Sequence, residues 1–427
     1  MRWMFGLKLH WQILIAMGLA FVVGISLPED GVVAGVNVTA ICAYVGRLFL
    51  KLLQMLVVPL IATSIISAIA RLGEENAFGR LGLRTAGYYV MTTALAVCTG
   101  LLVVNLVGPG RVAPDVSERM IASLGESREE VASKVAADTT SGAVLAEVFE
   151  RMIPKNIIDA AGNNADMLAI IFFAVLFGFF ITKLDAGPRA GFLGWWESAY
   201  AVMLLMTDWV ILFAPIGVFG LVAATVAETG FDALGPVITF FFTVAGALAI
   251  HLFVTLPILL KLLGRSPLLH FRQMMPALLT AFSTASSSST VPVSLDCLGN
   301  NDYNPRKVNS FVVPLGATIN MDGTALYECV AAMFIAQIYG IEMTFGTQFL
   351  VVFLALATSI GVAGVPAASL VAIVIILGAI GLPMEAIGLI LAVDRVLDMC
   401  RTAVNVFSDS CGAAVIGGFE MRRGGND

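Results

Sequence analysis

The chain has 427 residues, of which 59% are hydrophobic and only 13% are charged, and its formal net charge at pH 7 is -6. Because a soluble globular domain carries roughly 25% charged residues, this composition excludes an ordinary soluble protein and indicates that lipid surrounds much of the chain. Its six cysteines stand singly among apolar residues without CxxC spacing, so we expect small buried hydrophobes and not a disulfide framework or a cysteine metal site.

Apolar stretches long enough to cross about 30 Å of hydrocarbon, at about 1.5 Å per residue, recur through the N-terminal half. They occupy residues 9–27, 39–70, 83–107, 144–184 with a break, 195–224 and 234–263. Basic residues follow the second, fourth and sixth stretches, whereas acidic residues occupy the alternate loops, which places both termini in the cytoplasm by the positive-inside rule. Residues 111–143 are rich in Glu, Asp, Ser and Arg and are predicted to form an exposed insertion on the outer side.

Two later segments, 267–300 and 346–383, are apolar at their ends but polar or rich in Gly and Pro at their centres, which read AFSTASSSSTVPVSL and LATSIGVAGVPAASLVAIV. A backbone broken at membrane depth is tolerated only where protein or water satisfies it, so we interpret both segments as re-entrant helical hairpins. Such paired interruptions indicate a secondary transporter with internal repeats and a site near the two tips. Taken alone, the serine run also fits a flexible or N-capping loop.

The last span, LILAVDRVLDMCRTAVNVFSDSCGAAVI, places its polar side chains within an arc of roughly 100°. They are Asp394, Asp398, Arg401, Thr402, Asn405 and Asp409. Each charge facing lipid would cost about 2.5 to 3.5 kcal/mol, so this face has to line a polar interior. Three acids against one Arg call for a cation, although an ion-pair network that only locks helices together is the alternative. Arg395 lies at the edge of the face and stays unassigned.

The sequence GATINMDGTALYECVAAMF places Asn320, Asp322 and Thr324 around Gly323. An unwound turn there would present backbone carbonyls beside a carboxylate, which are hard ligands for a small hard cation and unlike the Cys and His sets of zinc sites.

Glu328 follows Thr324 by four residues and therefore lies about one turn further on the same helix face. Since desolvation disfavours the charged form of a carboxyl in apolar surroundings, we predict that Glu328 carries a proton in part of a transport cycle. The alternative is a permanently protonated Glu bonded to a neighbouring span. Histidines are remote in sequence from these motifs, so a Ser–His nucleophilic site is not expected.

Together, the serine-rich hairpin, NMDGTALYE, AGVP and the pattern DxxxDxxRTxxNxxxD resemble the glutamate transporter family, the dicarboxylate/amino acid:cation symporters. The resemblance extends over nearly the whole chain, including LLQMLVVPL and YYVMTT, and is weakest at 111–143. It implies an all-α membrane protein with eight transmembrane helices, two re-entrant hairpins and inverted repeats. It also implies an elevator-type carrier that is a homotrimer in the plasma or inner membrane.

The resemblance further divides the chain into a static scaffold and a mobile transport domain. The scaffold would be 1–82 with spans 1 and 2, and 144–225 with spans 4 and 5. The transport domain would comprise 83–110 with span 3, and 226–427 with span 6, hairpin 1 (267–300), span 7 (306–339), hairpin 2 (346–383) and span 8 (386–417).

The implied activity is sodium-coupled symport of L-aspartate or L-glutamate, without enzyme activity or a nucleic-acid partner. Arg401 would hold the side-chain carboxylate of the substrate, Asp398 its amino group and Asn405 its α-carboxylate. The pocket would be completed by Thr324, Thr402, Ser287 and the backbone at Val365. One sodium site would use Asp409, Asn405 and Asn320, and a second would use Tyr89, Thr92, Thr93, Asn320 and Asp322. A third would use backbone oxygens near Thr318, Ser359 and Ile360.

With Glu at position 328, the chain resembles the proton-coupled members of the family. In that family, potassium countertransport often accompanies a Glu at this position. An additional family Arg is absent, because its two usual positions are Ala285 and Met399. This departure weakens the expectation of potassium coupling. Alternatives are a C4-dicarboxylate or neutral amino acid symporter of the same fold, or an ion channel lined by the same polar face.

Overall fold

Long apolar runs fold as helices because a helix satisfies its own backbone polar groups where water is absent. The computed structural model describes residues 9–28, 31–33, 36–72, 80–122, 150, 152–162, 167–229, 234–299, 305–361 and 368–424. The helices in chain order are α1 (Leu9–Ser26), α2 (Val38–Leu72), α3 (Arg80–Val107), α4 (Pro114–Ala122), α5 (Ile157–Gly162), α6 (Met167–Ile181), α7 (Ala186–Ile211), α8 (Ala214–Thr229), α9 (Leu234–Ile250), α10 (Leu256–Leu262), α11 (Pro267–Thr284), α12 (Ser287–Gly299), α13 (Arg306–Ile319), α14 (Asp322–Ile338), α15 (Phe345–Gly361), α16 (Ala368–Ala379) and α17 (Leu391–Gly424).

Four short elements complete the described structure. Strands β1 (Val32–Val33) and β2 (Val36–Asn37) pair antiparallel before α2. A π-helical turn, His251–Thr255, joins α9 to α10, and a 3-10 helix, Met384–Leu389, precedes α17. The sequence pattern of the sixth span did not predict the π-helical turn.

By length and composition, two helices among the described residues can cross a membrane, Leu81–Val107 and Gly235–Leu262. A third results if Ala186–Val210 and Ala214–Ala227, which meet at 52°, are counted as one bent span. The predicted span 306–339 is broken between α13 and α14, and α17 carries several charged side chains. The helical, apolar character is therefore confirmed, whereas the number of eight spans stays a prediction.

The first predicted hairpin segment is interrupted near its centre. α11 ends at Thr284, Ala285 takes the left-handed conformation with φ 49° and ψ 39°, and α12 begins at Ser287. The two helices pack against each other, as expected of a helical hairpin. Ser286 Oγ accepts a hydrogen bond from the Ser289 N–H at 3.3 Å, so part of the serine run does serve as a helix N-cap.

The second predicted hairpin segment consists of α15 and α16, which also pack against each other. Its predicted tip, with Val365, lies outside the described residues. The span predicted at 306–339 is broken between α13 and α14, where Asn320 and Met321 leave helical geometry with ψ of 86° and 54°. The unwound turn predicted at NMDGT is therefore present.

Two expectations about exposure are corrected. Only 111–122 of the predicted outer insertion is described, and there Ser117, Met120 and Ile121 are buried on one face of α4. Their i, i+3, i+4 spacing places them on one face of α4 that points into the protein. This part of the insertion is therefore buried on one side of the helix and not exposed all round. Among the six free cysteines, Cys98 is exposed and Cys400 is half-buried. Cys98 follows exposed Leu95 on the outward face of α3.

The helices sort into two packing groups. In the first, α2 packs on α6, α7 and α8, and α1 packs on α8. In the second, α3, α9, α15, α16 and α17 pack on α14, whose residues are all buried except Gln337, and α11 and α13 pack on α17. A cavity of about 360 Å³ lies where α2 and α7 face α13, lined by residues that include Arg71, Tyr200 and Thr318. α14 is therefore the core helix against which the candidate site is built.

Candidate functional site

The candidate site lies where the start of α14 crosses α17. Gly323 permits this approach, because a Cβ there would lie only 2.7 Å from the carbonyl oxygen of Arg401. Asn405 bonds the start of α14: its Oδ1 accepts from the Gly323 N–H at 2.8 Å and its Nδ2 donates to Thr324 Oγ1 at 3.0 Å. The structure therefore brings Thr324 and Asn405, both predicted from sequence, into direct contact.

Arg401 is completely buried and lies between two carboxylates. Its Nη1 is 3.2 Å from Asp394 Oδ1, and its Nη2 is 3.0 Å from Asp398 Oδ1. The guanidinium carbon lies 3.9 Å from the centroid of the Tyr327 ring, which is cation–π distance. Among the described residues, no acceptor meets the guanidinium N–H groups with hydrogen-bond geometry. The charge of Arg401 is thus balanced by two carboxylates that do not align with its N–H groups.

Arg395, which the sequence leaves unassigned, is the second cation of this end of the site. Its Nη1 donates to Asp398 Oδ2 at 3.1 Å, three residues along the same helix. Two carboxylates, Asp394 and Asp398, are therefore balanced by two guanidiniums. The sequence argument that three acids exceed one Arg is corrected accordingly, and the uncompensated negative charge on α17 is confined to Asp409 at the other end of the face.

Asp322 is buried within a cluster of donors. Its Oδ1 accepts from Thr93 Oγ1 at 2.6 Å and lies 3.4 Å from Thr92 Oγ1. Its Oδ2 accepts from Ser408 Oγ at 2.6 Å and lies 3.1 Å from His251 Nε2. Four of the side chains predicted for the second sodium site, Thr92, Thr93, Asn320 and Asp322, are thus brought together, since Asn320 Oδ1 is 3.4 Å from Thr92 Oγ1.

Asp409 forms a second buried carboxylate cluster next to the first. Asn320 Nδ2 donates to Asp409 Oδ1 at 2.8 Å and to Ser408 Oγ at 3.1 Å. A Cβ on Gly316 would collide with the Asp409 carboxylate and with the Tyr89 hydroxyl, so a glycine is required between them. Tyr89 itself donates to the Val312 carbonyl at 2.7 Å.

The ligand atoms that these two clusters offer suit a small hard cation. Hydroxyl oxygens contact the Asp322 carboxylate, the Asn320 side-chain oxygen lies beside one of them, and Asn320 joins Asp322's cluster to Asp409. Neither carboxylate is paired with Lys or Arg among the described residues. The described part of the chain contains no group of three or more His, Cys, Asp or Glu able to hold a metal ion. Ligands of the zinc type are therefore not assembled there.

The remaining predicted residues are placed less tightly. Ser287 is buried at the first turn of α12. The hydroxyls of Thr402, Thr318 and Ser359 each donate to a carbonyl of their own helix, at 2.8, 2.9 and 2.9 Å. Ile360 lies in the last turn of α15, and α13 and α15 pack together.

Glu328 links α14 to the second hairpin segment. It is fully buried, and its Oε2 accepts from Thr358 Oγ1 at 2.8 Å. Its Oε1 has no hydrogen-bond partner among the described residues. The buried Glu328 carboxyl therefore has one oxygen bonded to α15 and one oxygen without a hydrogen-bond partner among the described residues.

Sequence reasoning missed Tyr327, Ser408 and His251. Tyr327 and Ser408 lie inside the motifs already noted, and their spacing from Glu328 and Asp409 carried no separate signal. A lone ionisable residue in an apolar span is itself a signal for His251, which sequence distance alone had dismissed. A second buried pair, His270 Nε2 and Ser410 Oγ at 2.9 Å, is not a nucleophilic site, because the Ser410 hydroxyl donates to the Phe407 carbonyl.

Comparison with known proteins agrees with this architecture. The chain is 35% identical to a proton/glutamate-aspartate symporter of Escherichia coli (strain K12), over 97% of this chain and 93% of that protein. It is 33% identical to a proton/sodium-glutamate symport protein of Geobacillus stearothermophilus, over 96% of this chain and 94% of the relative. Excitatory amino acid transporter 1 of Ambystoma tigrinum is 34% identical over 88% of this chain and 76% of its own length.

A family-level match covers almost all of the chain. The family described as the sodium:dicarboxylate symporter family matches residues 9–419, which include every residue of the candidate site described above. The chain belongs to the sodium:dicarboxylate symporter family.

Proposed function

We propose that the protein is a sodium-coupled symporter of acidic amino acids, L-aspartate or L-glutamate, in the plasma or inner membrane. The observation that carries this proposal is the buried Arg401 guanidinium, whose charge is balanced by Asp394 and Asp398 but whose donors find no hydrogen-bond acceptor among the described residues. A buried, preorganised fork of this kind matches a carboxylate bidentately. The names of the relatives, glutamate and aspartate symporters, point to the same substrates.

The substrate would lie along the α14–α17 crossing. Its side-chain carboxylate would accept from Arg401, its amino group would donate to Asp398, and its α-carboxylate would accept from Asn405. The contact of Asn405 with Gly323 and Thr324 supports this order, because it fixes the amide next to the unwound turn. The pocket would be completed by Thr324, Thr402, Ser287 and the backbone at Val365.

Sodium ions would be the coupling ions, with protons as second partners. The oxygen clusters around Asp322 and Asp409 support two sodium sites, and a third near Thr318, Ser359 and Ile360 follows only from the family resemblance. Proton coupling through Glu328 is supported by its single bond to Thr358 and by relatives named proton/sodium-glutamate symport proteins. Potassium countertransport rests on the resemblance alone.

The carrier would work as an elevator within a homotrimer. The two packing groups support this, since the first corresponds to the scaffold spans and the second to the transport-domain spans. The cavity between α2, α7 and α13 lies where one group would slide past the other.

Uptake by reconstituted protein tests the function directly. Proteoliposomes with an inward sodium gradient should accumulate labelled aspartate or glutamate, and choline in place of sodium should abolish the accumulation. Unlabelled internal substrate should drive counterflow of labelled substrate, which a carrier supports and a channel does not. Uptake that is equal with and without sodium would contradict the coupling.

Amino acids should be preferred strongly over plain dicarboxylates. Asp398 offers a carboxylate acceptor that a substrate amino group satisfies, whereas succinate leaves it facing a second negative charge. We expect succinate to compete at least tenfold more weakly than aspartate in sodium-driven uptake, because an unpaired buried charged group costs about 1.5 kcal/mol or more. If succinate competes as well as aspartate, Asp398 has another role.

Uptake should depend on pH through Glu328. If Glu328 must be protonated for loading, uptake by the unmutated protein should fall as the pH rises from 5 to 9, and Glu328→Gln should flatten this profile. Glu342→Gln is the matched control, because Glu342 is exposed on the loop before α15 and should leave the profile unchanged. A pH profile that Glu328→Gln leaves unaltered would show that the residue is structural.

A further inference from the structure

His251 is an unusual residue for its position. It is fully buried in the otherwise apolar stretch that joins α9 to α10, and it begins the π-helical turn His251–Thr255. Single π-helical turns inside α-helices are rare and are frequent at functional sites. An ionisable side chain at membrane depth requires a polar partner, which for His251 lies 71 residues away along the chain.

That partner is Asp322, whose two oxygens have different surroundings. Oδ2 lies 3.1 Å from His251 Nε2 and accepts from Ser408 Oγ at 2.6 Å. Oδ1 instead faces the hydroxyls of Thr92 and Thr93. Because a carboxylate only accepts hydrogen bonds, His251 Nε2 is the donor. Oδ2 of Asp322 is thus held by the hydrogen bond from His251, which lies outside the cluster of oxygens, while Oδ1 points into that cluster.

We propose that His251 is a positioning residue for sodium: by holding Oδ2 of Asp322, it keeps Oδ1 directed toward the oxygens with which it would bind the ion. This inference rests on the proposed function, in which Asp322 is a sodium ligand. His251 does not itself touch the ion. Partners that orient a ligating carboxylate in this way typically change ion affinity by about 10–100-fold when they are removed.

These hydrogen bonds extend to the second carboxylate cluster. Ser408, the other donor to Oδ2, accepts from Asn320 Nδ2, and the same Asn320 nitrogen donates to Asp409. A continuous path therefore runs from His251 through Asp322, Ser408 and Asn320 to Asp409. A change in the orientation of Asp322 should consequently alter the sodium affinity of both predicted ion sites.

A pair of substitutions separates positioning from packing. Gln places an amide N–H at about the reach of the imidazole Nε2, whereas Asn places one at the reach of Nδ1, which has no partner among the described residues. With saturating aspartate, the sodium concentration for half-maximal uptake should rise roughly tenfold in His251→Asn and stay within about threefold of the unmutated value in His251→Gln. Equal values for His251→Gln and His251→Asn would overturn the proposal.

His270 supplies the matched control, because it is also a buried histidine bonded through Nε2, to Ser410, outside the oxygen clusters. His270→Gln and His270→Asn should not differ in sodium dependence. If neither His251 variant accumulates in the membrane, Ser408→Ala is the test, since it removes the other donor to Oδ2 of Asp322. If its sodium concentration for half-maximal uptake stays within twofold of the unmutated value, the proposal that the Oδ2 bonds position Asp322 is overturned. Sodium-independent uptake by the unmutated protein would instead refute the proposed function, and is detected before any variant is compared.

Discussion

Arg401→Cys is expected to raise the KM for aspartate and glutamate by at least about 100-fold and to admit neutral amino acids. All three guanidinium nitrogens of Arg401 lack an acceptor with hydrogen-bond geometry among the described residues, and two charge-assisted bonds to a carboxylate are worth about 3 kcal/mol or more together. Losing them removes the selection for a negative side chain. The measurement is competition of sodium-driven uptake by a panel of acidic and neutral amino acids.

Folding has to be separated from recognition in this experiment. Removing Arg401 leaves Asp394 and Asp398 partly uncompensated, and breaking a buried ion pair costs about 3–5 kcal/mol. The double variant Arg401→Cys with Asp394→Asn restores the balance, and Arg119→Cys, at an exposed position of α4, is the matched control. Unchanged acidic-substrate affinity in the double variant would contradict the role assigned to Arg401.

Asp409→Asn and Asp322→Asn should each raise the sodium concentration for half-maximal uptake by at least about tenfold, which corresponds to about 1.4 kcal/mol of lost ion binding. Each substitution removes the single formal charge of an oxygen cluster that contains no Lys or Arg partner among the described residues. By reciprocal linkage, the affinity for aspartate should fall by a comparable factor when sodium is below saturation. Equilibrium binding of labelled aspartate at several sodium concentrations measures both effects.

The control for these variants is Asp296→Asn, since Asp296 is an exposed carboxylate on α12. It should leave the sodium dependence within twofold of the unmutated protein. If neither Asp322→Asn nor Asp409→Asn alters the sodium dependence of uptake, neither cluster binds the coupling ion.

Features set by local pattern could be predicted from the sequence. The polar face of α17 follows from residue spacing, and the break at Asn320 and Met321 follows from the polar, Gly-containing NMDGT stretch within an apolar run. The first hairpin was expected at 267–300, and α11 with α12 spans Pro267–Gly299. The pattern of apolar and polar residues predicts these helices and breaks because each of them depends on residues that are close to one another in the sequence.

Features set by tertiary contact could not be predicted in the same way. A helical projection leaves Arg395 at the edge of the polar face, and only its side-chain direction decides that it bonds Asp398. The contact of His251 with Asp322 joins two helices far apart in sequence. The helix α7 begins at Ala186, nine residues before the apolar stretch predicted at 195, because its first turns are less apolar than its centre.

The balance of two carboxylates and two guanidiniums on α17 bears on how the membrane voltage acts on transport. Since Asp394 and Asp398 are neutralised by Arg395 and Arg401, the fixed charge that would move with the site in the proposed mechanism is that of Asp322 and Asp409. Two sodium ions at the proposed sites would cancel it, and an anionic amino acid would then add one negative charge. Moving that charge against a potential of 100 mV costs about 2.3 kcal/mol. We therefore infer that a third sodium ion makes the loaded carrier electroneutral, so that the voltage acts mainly on the return of the empty, negatively charged site. A proton on Glu328 cancels only the charge that Glu328 itself carries when ionised, and so it does not replace that ion.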